Sequence, residues 1–189
     1  MRPFKSTISI DEARRRLEAN VRPITRTERI ALADAAGRVA AADVRSPIAV
    51  PPFTRSAMDG YAVVADDTKT ASQRSPAHLQ VVERIYAGHM PGRAIGPGRC
   101  SEIATGAPLP DGADAVVKVE QTAPAGDDSV DILGPASPGQ NIGRRGADIS
   151  VGDLVVRNGD WLNPSRIGAI AAIGCAEIDV YARPRVAVL

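Results

Sequence analysis

The feature that most constrains this chain is a change of pattern that happens twice. From about residue 54 to 145 it consists of short β-rich runs at 61–64, 79–86, 99–104, 115–122 and 130–133, separated by clusters of Gly, Pro, Asp and Ser. That spacing predicts a barrel or a sandwich. Residues 124–129 read as a hairpin loop between two of the strands, and the polar stretch 68–76 as a mobile surface loop. On both sides of this block the pattern turns helical, so the β part must be inserted into something else.

On the N-terminal side, Ser9-Ile10-Asp11-Glu12 fits a capping box. Ile10, Ala13, Leu17 and Val21 then mark one face at helical spacing, and Pro23 closes the segment. A strand is expected at 29–33 and an alanine-rich helix at 34–42, with Gly37 the weak point of that helix. Ser46-Pro47 and Pro51-Pro52 end it. On the C-terminal side, 153–157 reads as a strand. Asn163-Pro164 opens a helix with apolar body 167–173, and Gly174 stops it. Ile178, Val180, Val186 and Val188 suggest two strand pieces around Pro184.

The expected fold class is therefore α+β: a discontinuous helix-containing domain, residues 1–45 and 146–178, with a barrel- or sandwich-like β domain, residues 46–145, inserted into it. The apolar run Arg185-Val186-Ala187-Val188-Leu189 has no turn behind it, so residues 179–189 read as the start of a further domain.

Composition excludes several functions. Lys plus Arg total 23 against 22 Asp plus Glu, a formal charge of +1, without the basic excess of a nucleic-acid binder. No apolar stretch approaches the ~20 residues of a membrane span, and the N-terminus lacks the apolar core of a signal peptide. Cys100 and Cys175 match no metal-ligand spacing. A cytoplasmic location is the expectation. No P-loop, dinucleotide-binding glycine motif or H-E-x-x-H occurs, and His78 and His89 have no evident partners.

Three segments carry possible chemistry. The first runs from Pro51 to Ala62, where Asp59-Gly60 is a turn dipeptide between apolar anchors, so Asp59 either faces a ligand or satisfies its own backbone. In the second, from Thr105 to Val117, two prolines stiffen a loop whose glycines permit close approach, with the Thr105 hydroxyl at its rim. The third, from Gly139 to Ile149, combines glycines with Arg144, Arg145 and Asp148. It reads either as a solvated interdomain linker with an internal Arg–Asp pair, the first choice on the segment alone, or as an oxyanion site.

In this order the segments resemble the N-terminal half of the molybdopterin molybdenumtransferase family, to which the C-terminal region of gephyrin is related. The resemblance rests on Ser56-Ala57-Met58-Asp59-Gly60-Tyr61-Ala62, on T-G-A-P-L-P-x-G-A-D-A-V-V from Thr105, and on residues 140–149 and 173–186 in order. It implies an elongated homodimer that inserts molybdate, its substrate, into adenylylated molybdopterin with Mg²⁺ and releases AMP. It further implies a pterin-binding α/β domain following residue 185. Asp59, Thr105 and Asp148 match polar positions of the family's cleft and are the candidate catalytic residues. Carboxylates there would hold a divalent cation or position a phosphate-bearing substrate, with Thr105 donating a hydrogen bond. Ser56, Gly60, Arg144 and Arg145 are the candidate substrate contacts, and no metal ligand set is assigned. The sequence departs from the family at Thr54-Arg55, at Gly143, where an arginine is usual, and at Ala147, where a glutamate is usual. The alternative is a non-enzymatic dimerisation or partner-binding module; neither nucleic acid nor membrane is expected as a partner.

Overall fold

The computed structural model describes residues 7–187. In chain order it contains α1 (Ile10–Asn20), β1 (Thr27–Ala31), β2 (Val44–Arg45), β3 (Arg55–Ser56), β4 (Gly60–Val63), β5 (Ala77–Ile85) and β6 (Arg99–Ile103). These are followed by β7 (Ala115–Lys118), β8 (Thr122–Pro124), β9 (Ser129–Ile132), β10 (Ile142–Gly143), β11 (Leu154–Val156), α2 (Pro164–Ala172) and β12 (Glu177–Tyr181). The protein thus mixes α and β structure with few helices. It forms two compact units: one is the continuous segment 45–154, the other combines the chain through Val44 with the chain from Val155 onward.

The discontinuous unit is held by β1 and β12, antiparallel from Thr27 opposite Tyr181 to Ala31 opposite Glu177. Ile178 and Val180 turn inward from β12 while Glu177 and Asp179 face solvent, the alternation of a half-buried strand. With Leu32, Ala35, Ala40, Val156, Leu162 and Ile170 they form the core. Helix α2 begins as expected: the Asn163 side chain accepts from the Arg166 amide at 2.9 Å, proline follows, and Gly174 ends the turn at φ 81°.

The alanine-rich segment 34–42 is not a helix. Only Leu32–Asp34 makes a 3₁₀ turn, Gly37 takes φ 73°, and Val39 and Ala40 bridge to Trp161 and Val180. The Ala41 amide donates to the Asp179 carbonyl and the Val39 carbonyl accepts from the Tyr181 amide, both at 2.9 Å. Long-range pairing and full burial of Ala35 and Ala40 outweigh alanine's small intrinsic preference for helix. Within this segment the buried Arg38 guanidinium donates to the Tyr181 carbonyl at 2.8 Å and to the Glu28 carboxylate.

Helix α1 is capped by Ser9, whose hydroxyl oxygen accepts from the Glu12 amide at 3.1 Å. Glu12 does not reach back to complete the capping box; its carboxylate pairs with Arg15 and Arg16, each at 2.8 Å. No residue of α1 is buried, and Ile10, Leu17 and Val21 stay exposed. Residues 182–187 form no strand, so the second strand piece expected around Pro184 is absent through Ala187, and Val188 lies outside the described residues.

The continuous unit is built on a six-stranded sheet of order β7-β4-β6-β5-β9-β8. β5 and β6 run parallel and every other pair is antiparallel. Adjacent residues serve opposite faces: Val63, Val117 and Cys100 belong to one core cluster, Ala62, Val116 and Ile103 to another. In β5, Leu79 lies with the first cluster and Ile85 with the second, although an even spacing would put both on one face. The register shift between Val81 and Glu83 explains the switch, since a bulge changes the parity of everything after it. The run 115–122 divides into β7, a 3₁₀ turn at Val119–Gln121, and β8, and the 124–129 hairpin joins β8 to β9. The stretch 68–76, expected as a mobile surface loop, is anchored at its start. Thr68 is fully buried, and its hydroxyl donates to the Ala65 carbonyl and accepts from the Ala136 amide, both at 2.9 Å.

Candidate functional site

The three segments singled out in the sequence meet at β3. On one side the Ser56 amide donates to the Ala107 carbonyl at 3.0 Å, and the Gly106 amide donates to the Ser56 carbonyl at 2.9 Å. On the other, β3 pairs with β10, Ser56 opposite Ile142 and Arg55 opposite Gly143. The third segment is laced further along the first: the Asp148 amide donates to the Val50 carbonyl and the Gly146 amide to the Pro51 carbonyl. Segments separated by most of the unit's length are thereby fixed against one another by backbone bonds.

Asp59 stands on the turn between β3 and β4, exposed. Its Oδ1 accepts the Thr105 amide at 2.7 Å and the Thr105 hydroxyl at 2.8 Å. These two bonds, the backbone one first, hold the Asp59 carboxyl below its ordinary pKa, because they favour the ionised form. Oδ2 is left free of protein donors among the described residues. Thr105 was expected to donate to substrate; the structure instead shows both of its donors committed to Asp59.

The turn is packed from below. Gly60 lies opposite Lys118 and Ile103 in the sheet, and a Cβ there would fall 1.9 Å from the Val117 carbonyl oxygen. Space, rather than backbone conformation, dictates glycine. Ser56 is buried, and its hydroxyl donates to the Met58 carbonyl at 2.5 Å and accepts from the Met58 amide at 3.2 Å. Ser56 and Gly60, expected to touch substrate, are thus placed to shape the turn that presents Asp59.

A cavity of about 490 Å³ opens beside Asp59 and Thr105, lined also by Met58, Lys118, Val119, Glu120 and Gln121. A narrower one of about 180 Å³ lies on the other side of Asp59-Gly60, among Tyr61, Arg84, Tyr86 and Glu102. Arg144, Arg145 and Asp148 line neither. Arg144, Arg145 and Asp148 are all exposed, and the Arg145 amide donates to the Thr54 hydroxyl oxygen at 3.3 Å. Asp148 is therefore brought to the Val50 end of the first segment rather than to the Asp59–Thr105 pair.

Lys118 and Glu120 escaped the reading of the sequence. They follow directly on the second motif, but 115–122 read there as one continuous strand. In the structure the chain turns after Lys118, and the Val119 amide donates to the Asp59 carbonyl at 3.1 Å, which folds 118–121 back over the site. No group of three or more His, Cys, Asp or Glu able to hold a metal occurs among the described residues.

Residues 8–174 match the model of the MoeA N-terminal region (domain I and II), and the chain belongs to this family. It is 44% identical over 168 residues to molybdopterin molybdenumtransferase 2 of Mycobacterium tuberculosis, covering 89% of this chain and 40% of that protein. It is 36% identical over 183 residues to the molybdopterin molybdenumtransferase of Haemophilus influenzae, covering 96% and 44%. A crystal structure of the molybdopterin biosynthesis MoeA protein from Pyrococcus horikoshii superposes with a TM-score of 0.85 at 36% identity, covering 92% of this chain and 46% of that one. The chain spans less than half the length of these relatives.

Proposed function

We propose that this chain forms the N-terminal part of a molybdopterin molybdenumtransferase, in which molybdate enters adenylylated molybdopterin and AMP leaves. The observation that carries the reading is the clamp of Thr105 on Asp59 beside a cavity, built where two motif segments of a family member meet. Asp59 stays ionised and orients a cationic or hydrogen-bond-donating part of the substrate complex through Oδ2. Thr105 fixes the carboxylate, and the Gly60 turn and the Ser56 hydroxyl hold both in place. Asp148, Arg144 and Arg145 form a second polar edge at the Val50 end.

Mg²⁺ belongs to this reading. Mg²⁺ is usually held by one or two carboxylates together with water and substrate phosphates, and the free Oδ2 of Asp59 suits such a partial set, whereas a full protein cage is not present among the described residues. The ion would supply charge neutralisation at phosphate oxygens. A homodimer is supported by the exposed Ile10 and Leu17 of α1 and Val21 just after it. A cytoplasmic location accords with the lack of any helix, among the described residues, long and apolar enough to cross a membrane. A discontinuous domain with an inserted β domain accords with the two compact units, whose breaks fall at 45 and 154 where the sequence suggested 46 and 145, and a pterin-binding α/β domain following residue 185 completes the proposal.

The test joins this chain to the C-terminal portion of the Haemophilus influenzae relative and follows molybdate-dependent AMP release. The joined protein should turn over, and Asp59→Asn should abolish most of that activity; wild-type turnover by the variant removes Asp59 from the site. The 189-residue chain alone should release no AMP. If the joined protein self-associates yet neither binds molybdopterin nor turns over, the partner-binding alternative holds instead.

A further inference from the structure

We propose that Lys118 is the anion contact of the Asp59 cavity, the group that takes a tetrahedral oxyanion there. The inference rests on the transferase reading for its biological setting but not for its physics.

A cavity meant for a phosphoryl group or for molybdate needs donors, and the residue that sequence reasoning chose, Thr105, has none left. Its amide and its hydroxyl both point at Asp59 Oδ1. Asp59 is ionised and acceptor-only, and Glu120 adds a second carboxylate. Met58 and Val119 contribute apolar surface. That leaves Lys118, among the described residues, as the one cationic residue lining this cavity, with Gln121 as a neutral donor. Arg84 belongs to the neighbouring cavity and is committed, its Nε 2.8 Å from the Glu102 carboxylate.

Lys118 is also unspent. Among the described residues it forms no ion pair, although Asp59 and Glu120 line the same cavity. It is half-buried at the end of β7, opposite Gly60. The backbone of that strand is locked by the β4 ladder, so the lysine stem starts from a fixed point, and fixing a binding group in advance lowers the entropy lost on binding. An ammonium is a compact point charge with three donors that binds phosphate without needing a bidentate geometry. The volume of about 490 Å³ falls within the usual range of small-molecule sites, roughly 300–1,000 Å³. The result is a division of labour: Lys118 holds the anion, and the free oxygen of Asp59 faces whatever cation or donor accompanies it.

The test titrates the ¹⁵N-labelled 189-residue chain with inorganic phosphate and, separately, with molybdate, following amide shifts at Asp59, Thr105, Glu120 and Gln121. At least one of the two should bind saturably in the millimolar range with shifts centred on these residues. The arm that saturates first identifies whether the site prefers a phosphoryl group or the metal oxyanion. Lys118→Met, which keeps most of the stem and removes the charge, should weaken binding at least tenfold, and Lys118→Arg should stay within threefold of wild type. The same spectra report whether each variant is folded. Shifts that map instead to residues 143–148, no saturation by either anion, or wild-type affinity in Lys118→Met would each overturn the assignment. Failure of the transferase reading shows separately, as a joined protein that releases no AMP, and leaves the titration result standing.

Discussion

Replacing Gly60 by alanine is the most direct challenge to the account of how Asp59 is presented. A methyl group at residue 60 would sit 1.9 Å from the Val117 carbonyl oxygen, 2.9 Å from its carbon and 3.0 Å from the Lys118 Cα. Carbon–oxygen contacts between strands settle near 3.3 Å or more, so β4 and β7 must part by about 1.4 Å. All three obstructing atoms are backbone, so no side chain can swing aside. Overpacking costs about 1–3 kcal/mol, and each ladder hydrogen bond broken by the separation adds about 1 kcal/mol. The expected loss is therefore about 3 kcal/mol or more. At a strand position with room to spare the same change would stabilise by about 0.4–1 kcal/mol through the unfolded chain, so the sign alone is informative. Gly134, with nothing near its missing Cβ, is the matched control, and Gly134→Ala should shift stability by less than about 0.5 kcal/mol. Urea unfolding followed by circular dichroism measures both, and amide exchange of β4, β6 and β7 locates the damage. A Gly60→Ala protein as stable as wild type would refute the close-approach argument and with it the view that the turn is set from below.

Further outcomes follow from other contacts. Thr68→Val strands the Ala136 amide and the Ala65 carbonyl in a buried place and should cost about 1–3 kcal/mol in denaturant unfolding, while Thr68→Ser keeps both bonds and should cost far less; equal losses would contradict the role given to the hydroxyl. Because Thr105 lowers the Asp59 pKa, its two bonds contribute fully above the ordinary carboxylate pKa, and that contribution is lost as pH falls through the lower folded value. Thr105→Val removes the hydroxyl bond and keeps the amide one, so it should raise the Asp59 pKa part of the way toward the ordinary value in a ¹³C carboxyl titration, and an unmoved value would contradict the hydroxyl's share. The Cys100 thiol is fully buried and pushed up to about 12 by that burial, whereas Cys175 is half-buried. A thiol reagent should label Cys175 first in the native protein and Cys100 only on unfolding; early labelling of Cys100 would contradict its enclosure.

Local signals in the sequence proved legible where chemistry is local. Asn163-Pro164 and Gly174 bracket α2, and Ser9 caps α1, because capping needs only residues within one turn. The segment 34–42 misled because the partners that decide it, Trp161, Asp179 and Tyr181, lie more than a hundred residues away. Thr68 looked like a loop residue for the same reason, its hydroxyl being claimed by Ala136. At the site, the motifs pointed to Asp59 and Thr105, and the structure joins them. Asp148 fell near the right segments but at their other end. Lys118 and Glu120 were hidden because the alternation Val117-Lys118-Val119-Glu120 reads as a continuing strand, and nothing in it announces that the chain will turn at Val119 toward the Asp59 carbonyl.

The pairing of β1 with β12 carries a consequence for the order of assembly. During synthesis β1 leaves the ribosome early, whereas β12 follows only after the whole of the 45–154 unit has emerged. That unit contains every strand of its six-stranded sheet and can close first. The β1 edge must meanwhile wait, open to any passing strand. Its sequence, Thr27-Glu28-Arg29-Ile30-Ala31, suits the wait: two opposite charges and one threonine surround a single large apolar residue. Completion of the discontinuous unit is then a late, long-range closure, and the Arg29–Glu177 ion pair that spans β1 and β12 can form only at that last step.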